Sequence, residues 1–125
     1  MIIKNKEFNR WAKKAGLEDS ALCRAVDEMI KGLVDADLGG GVYKKRVALP
    51  GRGKSGSVRT LLVTNCGDRW FFVLGFEKNE RTNITDRELI GLRSLADDLL
   101  SMTKQKIQEA LVNGSLVEVK DEKTE

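Results

Sequence analysis

GGGVYKKRVALPGRGKSGSVRTLLVTNCGDRWFFVLGFEKNER, residues 39–81, decides the fold. Three glycines break the chain, and three β-rich runs follow, at about Val42 to Leu49, Val58 to Asn65 and Arg69 to Phe76. Asn65-Cys66-Gly67-Asp68 reads as a hairpin turn, because Asn, Gly and Asp tolerate positive φ. In Trp70-Phe71-Phe72-Val73-Leu74 both alternating faces are apolar, which predicts a central strand covered on both sides. Between Lys44 and Arg59 there are six Lys or Arg and no carboxylate. Positive charge fixed on a sheet, rather than spread over a tail, implies a polyanion held in a defined pose.

Outward from this hairpin region the chain turns helical. Phe8, Trp11, Ala12 and Ala15 recur at helical spacing and Gly16 ends that helix. Asp19 or Ser20 is the expected cap of a second helix, whose buried stripe runs through Leu22, Ala25, Val26, Met29, Ile30 and Leu33. Ile2 and Ile3 suit a short first strand. C-terminal to the strands, one long helix is predicted from Thr85 or Asp86 to Val112, with Leu89, Leu92, Leu95, Leu99 and Met102 on its seam. Leu116 to Val119 suits a closing strand. The order β-α-α-β-β-β-α predicts a small α+β domain, helices packed on an antiparallel sheet, with an extended C-terminal helix. Residues 1–115 form the expected single domain, and 116–125 a short strand or frayed tail.

With 125 residues, 41% hydrophobic and 33% charged, the chain has enough apolar material for a core without disulfides. The net charge is only +3, so the placement of charge matters more than its sum. Cys23 and Cys66 are widely separated and histidine is absent, which argues against a zinc site and for thiols in a reducing compartment. The opening MIIKNKEFNRW lacks an apolar core of signal-peptide length, and no membrane-spanning run follows. A cytoplasmic protein with no membrane partner is expected. Ala48-Leu49-Pro50-Gly51-Arg52-Gly53-Lys54-Ser55 superficially suggests a phosphate-binding P-loop, but Ala48 stands where the motif needs glycine. A strand, not a helix, follows Lys54-Ser55, so no helix N-terminus is there to receive a phosphate.

GGGVYKKRVALPGRGKSGSVRTLLV followed by RWFFVLGFEKNERTNI resembles the RelE/ParE superfamily of bacterial toxins, in its HigB-like branch. The resemblance extends from about residue 2 to about residue 100. It implies a small RelE-like fold and the toxin half of a type II toxin–antitoxin pair, with a cognate antitoxin, the ribosome and mRNA as partners. The implied activity is a ribosome-dependent mRNA endoribonuclease (an mRNA interferase) that inhibits translation, with no metal and no small-molecule cofactor. Two other readings of the same fold are a gyrase-targeting ParE-like toxin and a catalytically silent antitoxin-binding relative.

Metal-free RNA cleavage uses the substrate's 2′-hydroxyl as nucleophile. It requires a base, an acid and positive charge for the phosphorane. Without histidine, a lysine lowered by neighbouring cations or Glu80 is the available base, while arginine serves as a phosphate clamp. The catalytic candidates are Arg46, Lys54, Arg59, Lys78 and Glu80, and the RNA-binding candidates are Lys44, Lys45, Arg52 and Arg81. By resemblance, Lys44, Arg46 and Arg59 match basic positions used against the scissile phosphate. Lys78 lies beside a further family cation, where this chain has Asn79. The tyrosine that some relatives place just after this cluster is absent, and Ile84-Thr85 occupies the region. Strand alternation puts Lys44 and Arg46 on the solvent face if Val47 points at the core.

Overall fold

A computed structural model describes residues 1–49 and 56–120. The chain runs β1 (Ile2–Asn5), α1 (Lys6–Ala15), α2 (Asp19–Ile30), β2 (Ala36–Asp37), β3 (Val42–Ala48), β4 (Ser57–Thr64), β5 (Trp70–Glu77), α3 (Asp86–Ser101), α4 (Lys104–Asn113) and β6 (Leu116–Glu118). The six strands form one sheet in the order β2-β3-β4-β5-β1-β6. Pairing is antiparallel except between β1 and β5, which are parallel. The expected α+β class holds, with helices on both faces of a mixed, mostly antiparallel sheet.

Alternation along the strands builds two cores. On one face, Val47 and Leu49 from β3 and its exit, Val58 and Leu62 from β4, and Trp70 and Phe72 from β5 pack beneath α1 and α2. On the other, Val42, Leu61, Val63, Phe71, Val73 and Phe76 meet Leu92, Ala96 and Leu99 of α3 and Ile107 of α4. This double burial is why β5 carries apolar residues at successive positions. Gly16 ends α1 in the left-handed region, at φ 76°, as its placement in the sequence predicted.

Three expectations are corrected. The long helix over 85–112 is two helices: Met102 is extended and the Thr103 side chain accepts from Lys106 N at 3.1 Å, which starts α4 afresh. Arg69 reinforces the break by donating from Nη1 to the Leu99 and Leu100 carbonyls, both at 3.2 Å. The position before α2 is Glu18, and neither Asp19 nor Ser20 is its cap. Asp19 instead accepts from Lys4 Nζ at 2.8 Å and from Lys120 N at 3.0 Å, tying α2 to β1 and the chain after β6. Ile30 and Leu33, expected on the buried stripe, are exposed, because the helix ends at Ile30 and the chain turns away. Residues 116–118 form β6 on β1, and Val119 N donates to the Ile2 carbonyl at 2.9 Å. Residues 121–125, within the expected frayed tail, lie outside the described residues.

Candidate functional site

The register of β3 on β4 sets the central feature: Arg46 lies directly opposite Arg59, and Lys44 opposite Leu61. Directly paired residues project to one face. Leu61 and Val63 on that face belong to the core under α3, so the two arginines emerge where that core ends. Across the next pairing, Arg59 faces Phe76 of β5. The Arg81 guanidinium covers the Phe76 ring at 4.9 Å from its centroid, so Arg59 and Arg81 flank one aromatic residue. Arg81 is fixed there by Glu88, 2.8 Å from its Nη1.

Glu88 is in turn held by the N-terminus of α3. Its carboxylate accepts from Thr85 N at 2.8 Å, while Glu88 N donates to the Thr85 hydroxyl at 3.1 Å, a reciprocal capping box. The Thr85 amide, and after it the Arg81 guanidinium, keep the Glu88 carboxyl below the ordinary carboxylate range. Arg81 is therefore a positioned cation.

Arg46 and Arg59 are placed differently. Among the described residues no carboxylate pairs with either guanidinium; Arg59 Nη1 donates to the Ser57 hydroxyl at 3.3 Å. Like charges directly opposite on a sheet oppose folding. Two such forks retain N–H donors suited to a tetrahedral oxyanion such as phosphate.

The other candidates are distributed differently. Lys44, half-buried, adjoins the pair on the same face of β3. Lys45 is corrected as a surface RNA contact: it is 6% exposed and turned under α2, with Nζ 2.8 Å from Glu28 and 3.0 Å from the Leu33 carbonyl. Alternation forces this, since Lys45 shares its face with Val47. Lys78 and Glu80 lie exposed in the turn after β5. The Glu80 carboxylate closes that turn by accepting from Glu77 N at 2.8 Å. Arg52 and Lys54 lie outside the described residues.

Several participants escaped the sequence reading. Ser57 and Glu88 contact the cationic group only because the fold brings them there. Arg24, exposed on α2, shares a groove with Arg46, and nothing in the helical pattern singles it out. No helix among the described residues is long and apolar enough to cross a membrane. Comparison with curated proteins gives no match. The sequence model for the RelE toxin of RelE/RelB toxin–antitoxin systems matches residues 1–119, nearly the whole chain and every element described above, and the protein belongs to that family.

Proposed function

We propose that this RelE-family toxin, of the HigB-like branch, is a ribosome-dependent mRNA endoribonuclease that acts in the cytoplasm and is silenced by a cognate antitoxin. The observation that carries the reading is the pairing of Arg46 directly opposite Arg59, two cations with no carboxylate partner among the described residues. A bound phosphodiester would relieve their repulsion.

In the proposed reaction the 2′-oxygen of the substrate attacks the adjacent phosphorus as its proton passes to a base. The bond to the 5′-oxygen then breaks, leaving a 2′,3′-cyclic phosphate and a protonated 5′-hydroxyl. Arg46 and Arg59 hold the non-bridging oxygens and stabilise the extra charge of the phosphorane. Lys44 extends the positive field along the RNA and Arg81, its charge compensated by Glu88, offers its remaining N–H donors, with Arg52 as a further contact. Lys54 and Lys78 are assigned the proton transfers. Glu80, engaged with the Glu77 amide, is the less suited base. The ribosome supplies alignment of the mRNA, holding the 2′-oxygen in line with the departing 5′-oxygen.

The test is controlled induction of the wild type, Arg59→Ala and Lys45→Met in bacteria, with new mRNA 5′ ends mapped during growth arrest. Cuts within translated codons are expected from the wild type and Lys45→Met. They should fall by about 100-fold or more in Arg59→Ala, the loss typical of one oxyanion donor. Undiminished cutting by Arg59→Ala refutes the assignment. Arrest of DNA synthesis without mRNA cuts refutes the nuclease reading in favour of a gyrase target.

A further inference from the structure

A groove of about 330 Å³ runs between α2 and β3. Ala21, Arg24 and Ala25 of α2 form one wall; Arg46 and Ala48 of β3, with Ser57 of β4, form the other. Two of these residues connect it to the arginine pair: Arg46 belongs to both, and the Ser57 hydroxyl accepts from Arg59. Its positive charge is not cancelled from within. Glu28, which also borders the groove, has its carboxylate 2.8 Å from Lys45.

We propose that this groove is a second nucleotide subsite for single-stranded RNA, next to the scissile phosphate. A base lies against Ala21 and Ala25 of α2 where β3 passes them, while Arg24 and Arg46 hold the phosphates on either side. The volume falls at the lower end of the range for small-molecule pockets, about 300–1,000 Å³, a size suited to one nucleotide. An unstacked base against an apolar floor with guanidiniums at its margin is the usual chemistry of single-strand recognition. A peptide strand added to the outer edge of β3 fits less well. β2 pairs with β3 only as far as Lys44, and just beyond it the Arg46 amide already donates to the Asp35 carboxylate, closing the edge a peptide would need. The proposal rests on the nuclease reading, because it extends the same RNA track.

The experiment is an amide chemical-shift titration of the full chain with 2′-O-methyl oligoribonucleotides, which lack the attacking hydroxyl. A tetranucleotide should shift the amides of Arg46 and Arg59 together with Ala21, Arg24 and Ala48, whereas a dinucleotide should shift only the first pair. Arg24→Glu should weaken the tetranucleotide about tenfold and leave the dinucleotide unchanged. Tetranucleotide shifts confined to Arg46 and Arg59, or an Arg24→Glu affinity equal to wild type, would overturn the subsite while leaving the nuclease reading intact. Absence of shifts anywhere in the wild type would overturn the subsite, whereas the nuclease reading stands or falls on the mapped mRNA cuts. Hexaglutamate shifting the groove amides as strongly as the tetranucleotide would make this a peptide site and refute the RNA assignment.

Discussion

Gly75→Ala should destabilise the protein, although alanine ordinarily improves a strand. Gly75 lies in β5 with the Trp11 ring of α1 laid directly over it. A Cβ built there would sit 2.2 Å from Trp11 Cζ3, 2.4 Å from Cε3 and 2.6 Å from Cη2. To restore a 3.4 Å contact the ring must retreat by about 1.2 Å. Phe8 hinders that retreat, with its ring centroid 5.4 Å from that of Trp11 and the same distance from Phe72. Overpacking of this kind costs about 1–3 kcal/mol. Reduced freedom of the unfolded chain offsets about 0.4–1 kcal/mol, so the net loss centres on about 1.3 kcal/mol. The assay is urea unfolding of wild type, Gly75→Ala, Trp11→Leu and the double variant. In the Trp11→Leu background the alanine should become neutral or slightly stabilising, giving a coupling of about 1–3 kcal/mol. A Gly75→Ala loss below about 0.5 kcal/mol, or an equal loss in both backgrounds, would refute the reasoning. The contact also adjoins the cationic group, because the next residue, Phe76, faces Arg59 and carries Arg81.

Two further outcomes follow from polar contacts of β3. Glu28→Ala should cost about 1–2 kcal/mol in urea unfolding, less than the loss of a fully buried partner because Glu28 is partly solvated, while Lys45→Met should lie within about 1 kcal/mol of wild type; the reverse order would show Lys45 to be other than a paired interior cation. Tyr43, the only tyrosine, has its hydroxyl 3.4 Å from the Cys66 sulfur, and the hydrogen bond that holds the phenol proton there first, then burial, pushes its phenol up to about 12 from the model-compound 10.0. The unfolded chain then releases this proton first, so the contribution to stability is complete below pH 10 and lost as pH rises towards 12. Ultraviolet titration should show tyrosinate appearing near the upper value in the wild type and nearer the lower in Cys66→Ala; coincident curves would remove Cys66 as the cause.

Short-range chemistry made the central hairpins legible. The Asn65–Asp68 turn, the double-sided apolarity of Trp70–Val73 and the left-handed stop at Gly16 each depend on neighbouring residues and a repeat of 2.0 or 3.6. What the sequence could not reveal depends on partners far along the chain. The apolar seam from Leu89 through Leu99 continues to Ile107, so helical spacing alone does not show the break at Met102-Thr103. Arg69, about thirty residues earlier, holds the carbonyls at that break. Asp19 resembles a cap locally, but Lys4 and the Lys120 amide claim it. At two residues, β2 is too short to carry a pattern.

The basic block makes the same distinction within a single strand. Lys44, Lys45 and Arg46 are adjacent and chemically alike, yet alternation sends Lys45 beneath α2 to Glu28 and leaves Arg46 beside Arg59. Counting cations therefore overstates the phosphate-facing charge on β3, whereas register identifies what remains. A lone arginine on an exposed strand disperses its charge into water. Two at directly opposed positions keep adjacent backbones while β3 and β4 stay paired, so in the proposed reaction one anion can engage both. Arg81 differs because Glu88 already compensates its charge. The expected division of labour follows: Arg46 and Arg59 respond to the phosphate that gains charge, and Arg81 holds the adjoining RNA without depending on the reaction's progress.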